Sequence, residues 1–75
     1  MRFYFHIRDN DTFIEDDEGI YLPNLEAATD EAWASVSDLL EAEIKLGHGV
    51  TTQVIEMADE QGRSIGIFGA RKLLH

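Results

Sequence analysis

One stretch of the sequence, residues 24–47, constrains the fold more than any other because it has the features of a single long amphipathic helix. Pro23 favours an extended conformation in the residue before it, and Asn24 can cap the first free backbone N–H groups of a helix. Gly47 can adopt the left-handed conformation that ends many helices. Neither glycine nor proline occurs between Asn24 and Gly47, so we predict one uninterrupted helix.

Apolar residues recur at three- and four-residue steps along this helix and define the face that we expect to be buried. They are Leu25, Ala28, Ala32, Val36, Leu39 and Leu40. Trp33 lies at the margin of this stripe. At that position it can either close the edge of the core or act as a contact residue in a protein interface, a role that tryptophan often fills.

Short apolar runs on both sides of the helix have the period of β-strands. Residues 2–8 alternate between two sets of side chains, namely Phe3, Phe5 and Ile7 in one set and Arg2, Tyr4, His6 and Arg8 in the other. Residues 12–15 are predicted to return as the second strand of a hairpin, and residues 20–22 can add a short edge strand. After the helix, residues 52–58 and 63–68 are strand-like on either side of a turn signal.

This order predicts an α+β fold of the form ββαββ, with a single antiparallel sheet and one long helix packed on one face. The 75 residues are enough for one small domain, residues 1–75. One helix covers only one face of a sheet, so the other face must meet either water or a second protein surface. The pattern does not determine the order of the strands in the sheet.

A domain of this size gains only about 3–5 kcal/mol of stability from its core and usually needs a further source of stability. The sequence contains no cysteine, which excludes disulfides and thiolate metal sites and fits a cytoplasmic protein. No apolar run is long enough to span a membrane, and residues after Arg2 alternate instead of forming a signal peptide. Self-association, most simply as a homodimer, is therefore the expected source of added stability.

The formal net charge of −9 narrows the classes of partner. A strongly acidic chain is repelled by nucleic-acid phosphates and by anionic membrane surfaces, whereas it attracts basic proteins. The charge therefore argues against nucleic acid and membranes and leaves a basic protein as a possible partner.

The polar set of the first strand is the main candidate for an interaction surface. Arg2, Tyr4, His6 and Arg8 form a basic and aromatic face in an otherwise acidic chain. Arginine and tyrosine are enriched in protein interfaces, which favours a subunit contact. The same residue types can also stack on bases and contact phosphates, as in a weak nucleic-acid binder. A third possibility is an ordinary exposed face whose arginines pair with Glu15 and Glu56.

Other polar groups are better explained by structure than by chemistry. The acidic residues of segment 9–18 could supply oxygen ligands to Ca²⁺, but the segment lacks the glycine and third polar ligand of an EF-hand loop. Asp16-Asp17-Glu18-Gly19 is instead typical of a solvated loop, in which Gly19 can adopt a positive φ. His6, His48 and His75 lack the short spacings of zinc ligands. Neither a nucleophile–base signature nor a phosphate-binding glycine loop is present. We therefore predict no catalytic residue, no metal and no cofactor, and we expect that the chain is not an enzyme.

Several short motifs occur in a characteristic order: Phe3-Tyr4-Phe5-His6-Ile7-Arg8-Asp9, Asp17-Glu18-Gly19, Leu22-Pro23-Asn24-Leu25-Glu26-Ala27-Ala28, Glu31-Ala32, and Asp59-Glu60 with Gly62. In this respect nearly the whole chain resembles a family of short bacterial proteins that is defined only as a domain of unknown function. The resemblance implies no activity and no catalytic residues.

The chain is more loosely similar to HicB-type antitoxin domains, in which strands lead through a turn into a helix that begins near a Leu-Glu-Glu-Ala-like run. Gly19, Leu25, Glu26 and Ala27 are the points of similarity, and the Pro-Asp-Leu-Pro-Gly turn of that family is missing. From the residues, we predict a non-catalytic module that acts by protein association, first with itself. An antitoxin-like regulator of a basic protein is the alternative implied by the HicB likeness.

Overall fold

The computed structural model describes residues 1–48 and 51–69 of the chain. The elements follow the predicted order: β1 (Arg2–Arg8), β2 (Phe13–Ile14), β3 (Ile20–Tyr21), α1 (Leu25–Lys45), β4 (Val54–Ala58) and β5 (Ser64–Gly69). One helix packs against a single open antiparallel sheet of five strands, so the predicted α+β fold is confirmed. The predictions for Gly49, for the tail of residues 70–75 and for His75 lie outside the described residues.

The ends of α1 are set by the residues that the sequence indicates. The Asn24 side chain accepts a hydrogen bond from the Ala27 backbone N–H at 2.8 Å, which caps the first turn. At the other end, Gly47 has a φ of 86° and its N–H donates to the Ile44 carbonyl at 2.9 Å. The helix therefore ends at Lys45, whose positive charge suits the negative end of the helix dipole.

The sheet has the strand order β2-β1-β4-β5, and β3 also pairs with β1. β2 pairs with the end of β1 and β3 with its beginning, while β4 pairs along β1 from Tyr4 to Arg8. Every other strand except β5 therefore pairs with β1. β5 forms one edge of the sheet and pairs with β4, with one irregularity between Met57 and Ala58.

The core lies between α1 and the sheet face that carries Phe3, Ile55 and Met57, all of which are at most 2% exposed. Ala28 and Ala32 are fully buried, because their small side chains let the helix approach the sheet closely. Leu25 was expected in the buried stripe, but it is 55% exposed. Leu22, just before the helix, packs against the cluster of Phe3, Ala28 and Met57 instead.

The strands that follow the helix match their predicted positions closely. β4 begins at Val54, two residues later than predicted, because the residues before it use side-chain hydrogen bonds. The Thr52 hydroxyl donates to the Asp9 carboxylate at 2.7 Å, and the Gln53 N–H donates to the Thr51 hydroxyl at 3.1 Å. These bonds tie the start of β4 to the turn after β1.

Candidate protein interface

The candidate surface is the side of the sheet opposite the helix. Phe3 is buried beneath α1, so the alternate residues of β1 point away from the helix. Residues directly opposite one another in neighbouring strands share a side of the sheet. The register therefore groups these side chains, which we call the uncovered face: Arg2, Tyr4, His6, Arg8, Phe13, Tyr21, Val54, Glu56, Ala58 and Ile67. α1 is the only helix among the described residues, and it lies on the opposite side of the sheet.

The two arginines of the uncovered face contact neighbouring strands. Arg8 forms an ion pair with Glu56 at 2.9 Å and lies over the Phe13 ring, with 4.6 Å between the guanidinium carbon and the ring centre. Arg2 lies over the Tyr21 ring at 4.3 Å. The hydrogen bond from Arg8 lowers the pKa of Glu56, although partial burial opposes the shift. The predicted pairing of Arg8 with Glu56 is thus present, whereas Glu15 has no arginine partner among the described residues.

Asp16 joins the loop between β2 and β3 to the middle of β1, a role that the sequence did not indicate. Its carboxylate accepts hydrogen bonds from the N–H of Phe5 at 3.0 Å, of Gly19 at 3.1 Å and of Glu18 at 3.2 Å. Its own N–H donates to Nδ1 of His6 at 3.0 Å. Burial alone would raise the pKa of Asp16, but the three backbone donors and nearby His6 outweigh it, so the pKa is lowered.

The sequence around Asp16 indicates the local hydrogen bonds of this loop but not its long-range bond to β1. Aspartate shortly before glycine is typical of a loop in which the side chain bonds to following backbone N–H groups. Glu18 and Gly19 supply those local donors, whereas the third donor, Phe5, comes from a strand eleven positions earlier. The sequence indicated a solvated loop, which is wrong for Asp16 because the long-range bond to Phe5 draws its carboxylate into a partly buried position.

Exposed apolar side chains lie at both margins of the uncovered face. Tyr21 is 67% exposed and Phe13 46% exposed at the β2 and β3 side, and Ile67 is 49% exposed on β5. Tyr4 and His6 lie between them and are half-buried. Aromatic residues and arginine are typical of the centres of protein interfaces, so the composition of this face suits a protein contact.

An open cleft of about 290 Å³ borders the uncovered face next to Tyr4 and His6. Its other walls are mainly acidic, from Glu15, Asp16, Asp17, Asp59 and Glu60. Among residues 1–48 and 51–69, no three histidine or carboxylate side chains are grouped as they would be around a metal ion. We call these five carboxylates the acidic rim.

The remaining candidate residues lie away from the uncovered face. Trp33 packs edge-on against Phe68 of β5, with ring centres 5.2 Å apart, and is half-buried. It closes the edge of the core on the helix side, which is one of the two roles predicted for it. His48 contacts Glu43 near the end of α1 and does not join His6.

The comparison with known protein families bears on nearly the whole chain. One family model, described as a domain of unknown function (DUF6894), matches residues 2–68. The chain belongs to the DUF6894 family. This confirms the predicted membership of a family of unknown function, while the likeness to HicB-type antitoxins is not shown. No curated protein and no solved structure gives a significant match.

The family match spans all the elements that build the uncovered face of this DUF6894 domain, from β1 to most of β5. The family description assigns no activity, so functional residues must be argued from the structure alone. Within the part of the chain that the structure describes, no helix is long and apolar enough to cross a lipid bilayer.

Proposed function

We propose that this DUF6894 domain is a non-catalytic module that acts by protein association, first with a second copy of itself. The observation that supports the proposal is the uncovered face, where arginines stack on exposed aromatic rings within a chain of net charge −9. Arg2, Tyr4, His6 and Arg8 remain the candidate contact residues on this face, with Trp33 on the helix side. Association would also add buried apolar area to a domain with a small core.

The carboxylates around the face argue for structural roles. Glu56 accepts from Arg8, Asp16 accepts from three backbone N–H groups, and the pKa of each is lowered. A catalytic acid needs a pKa raised toward neutral pH, which is the opposite direction. Neither carboxylate therefore suits a general acid, and as part of the proposal we take the domain to be non-catalytic and to need no cofactor.

The acidic rim favours a second candidate function, a regulator that binds a basic protein in the manner of a HicB-type antitoxin. Asp17 and Glu60 would face arginine and lysine side chains of such a partner, whereas Asp59 is already paired with Arg63 of the same chain. The same carboxylates repel phosphates, so nucleic acid is the least favoured partner for this face. As part of the proposal we assign the module to the cytoplasm, where a chain without cysteine needs no oxidising environment.

The test of self-association is the solution mass of the purified protein, measured by light scattering after size exclusion over a series of protein concentrations. We expect a dimer of twice the 8.5 kDa chain mass that dissociates on dilution. The emission of Trp33, the only tryptophan in the chain, gives a second signal for the same equilibrium. A monomer at every concentration, up to the millimolar range, would contradict the proposal.

A further inference from the structure

β5 is an edge strand whose outer backbone groups have no strand partner among the described residues. It ends the strand order β2-β1-β4-β5 and pairs on one side only. In an edge strand, every second residue directs its N–H and C=O away from the sheet. The irregularity lies at the Ser64 end, so residues 66–69 keep a regular register with β4 and present a regular edge.

Apart from the irregularity at its Ser64 end, β5 lacks the features that usually protect an edge strand. Ser64–Gly69 reads Ser-Ile-Gly-Ile-Phe-Gly and contains no charged residue and no proline. Natural proteins usually prevent edge-to-edge pairing with a lysine, a proline or an inward-pointing charge on the edge strand. A six-residue uncharged strand is notable in a chain in which 28% of the residues are charged.

The opposite edge of the sheet has the reverse character. The segment that carries β2 and leads to β3 contains six of the fifteen acidic residues: Asp9, Asp11, Glu15, Asp16, Asp17 and Glu18. Two copies that met through this edge would bring like charges together, which is unfavourable. Two copies that met through β5 would bring together uncharged strands, so charge selects β5 for contact between copies.

Two polar side chains of the uncovered face are already paired within one copy, unlike the outward backbone groups of the β5 edge. Arg8 pairs with Glu56, and His6 accepts a hydrogen bond from Asp16. In the described part of one copy, the outward N–H and C=O groups of β5 are left to water, and another extended chain can replace that water with a regular ladder of hydrogen bonds. Backbone pairing therefore specifies a β-strand as the partner, and the neutral charge permits a second copy.

We propose that two copies associate by antiparallel pairing of β5 with β5 of the second copy, which joins the two sheets into one. This proposal rests on the proposed self-association, but it places the main contact at the β5 edge and not at Arg2, Tyr4, His6 and Arg8 of the uncovered face. An antiparallel pair of identical strands has twofold symmetry, so the same residues meet from both sides. Ile67 of each copy lies beside the junction on the uncovered face, and Phe68 with Trp33 lies beside it on the helix side.

Amide hydrogen exchange of the unsubstituted protein tests the proposal directly. Spectra are recorded above and below the dissociation concentration found by light scattering. We expect alternate amides within Ser64–Gly69 to become protected as the dimer forms. The amides of β1 serve as an internal control, because this central strand is already paired in one copy. A dimer in which the β5 amides stay unprotected would overturn edge pairing.

A pair of matched variants tests the same contact independently. Ile67→Lys and Tyr21→Lys each add one positive charge at an exposed position of the uncovered face, at opposite ends of the sheet. Ile67→Lys places like charges next to each other across the β5 junction, and we expect it to weaken the dimer about ten-fold or more. Tyr21→Lys changes the uncovered face far from β5, so edge pairing predicts a change in the dissociation constant of less than about two-fold, whereas association through the uncovered face predicts a clear loss.

The variants also separate the two proposals. In one copy the new ammonium at position 67 lies opposite Glu56, so Ile67→Lys should retain the fold, which far-UV circular dichroism checks. Equal weakening by both variants, or by Tyr21→Lys alone, would overturn edge pairing and leave self-association through the face in place. A protein that is monomeric at every concentration would overturn both proposals.

Discussion

Asp16 is the single residue that connects the loop between β2 and β3 to the central strand. We predict that Asp16→Asn lowers the free energy of unfolding by about 2 kcal/mol at pH 7, because an amide cannot accept from Phe5 and Gly19 through both of its ends. Urea unfolding followed by Trp33 fluorescence measures the change. Asp17→Asn removes the same charge from the exposed neighbouring position and should cost less than about 0.5 kcal/mol. Equal losses in the two variants would contradict the role given to Asp16.

The stability lost in Asp16→Asn should depend on pH, because the pKa of Asp16 is lowered in the folded protein. A carboxylate with a lowered pKa in the folded state stabilises the protein above its unfolded value, which is about 3.9 for aspartate. That contribution is lost as the pH falls through the folded-state pKa. We expect the stability difference between the unsubstituted protein and Asp16→Asn to be constant from about pH 5 to 7 and to shrink below about pH 4. Urea unfolding at several pH values checks this, and a difference that grows in acid would refute it.

Gly19 has no space for a side chain. Its φ is 69°, and a Cβ atom there would lie 2.9 Å from Arg2 Cγ, from the Phe3 carbonyl oxygen and from Tyr4 Cε2. We expect Gly19→Ala to lower the free energy of unfolding by about 3 kcal/mol, through both backbone strain and overlap with β1. Gly47→Ala is the matched control, because Gly47 has a φ of 86° but open space around it, and should cost about 1 kcal/mol. Thermal or urea unfolding measures the stability of both variants. Equal losses of stability would show that atoms of β1 shift to make room for the new Cβ at position 19.

Residue-level predictions succeeded where the determinant was local. The positive φ of Gly19 was predicted from an acidic run that ends in glycine, and it is confirmed. The contacts of Gly19 with Arg2, Phe3 and Tyr4 were not predicted, because they depend on the pairing of β3 with β1. The bond between Asp16 and Phe5 was missed for the same reason.

At the scale of elements, the first turn of α1 depends on one side chain. We expect Asn24→Ala to lower the free energy of unfolding by about 1 kcal/mol, because the Ala27 N–H loses its acceptor. Asn24→Asp keeps an acceptor at the same place and should retain most of the stability. Chemical unfolding of the two variants measures the difference. A loss in Asn24→Asp as large as that in Asn24→Ala would show that the hydrogen bond is not the cause.

The helix was predictable almost completely, and the strands less so. Asn24 and Gly47 act within one or two turns of the chain, and both ends of α1 lie where they indicate. Leu25 fits the apolar period but is exposed, since periodicity identifies a face without showing how far the sheet extends beneath it. β4 is shorter than predicted because its partner β1 ends at Arg8, opposite Val54, and the Gln53 backbone N–H donates to the Thr51 hydroxyl instead of to a strand.

At the scale of the whole molecule, the net charge of −9 opposes association of two copies. Salt screens repulsion between exposed charges, and the Debye length falls from about 10 Å at 0.1 M to about 3 Å at 1 M. We therefore expect the dimer dissociation constant to fall, by about three-fold or more, between about 0.05 and 0.5 M NaCl. Sedimentation velocity over this range measures it. A dimer that weakens with salt would instead indicate contacts between opposite charges, such as ion pairs between the arginines of one copy and the acidic rim of the other.

The overall architecture was predictable, but the arrangement of its parts was not. The order of hairpin, helix and hairpin already implied one antiparallel sheet with one helix on it, and the alternation in β1 correctly separated Phe3 from Arg2 and Tyr4. The strand order could not be predicted, because several orders satisfy the same alternation. For that reason the acidic rim and the neutral edge of β5 became visible only in the folded molecule.

The central place of β1 has a consequence for how the protein is made. Within this domain β1 leaves the ribosome before the other strands, whereas its long partner β4 follows only after α1, and the Arg8–Glu56 pair joins residues 48 positions apart. Contacts of such separation form slowly, and they cannot form before both strands have emerged. A nascent chain that has reached only the end of α1 holds the helix without the β4 strand against which it packs. The fold of this domain is therefore completed only after β4 has emerged, and until then one side of β1 stays unpaired.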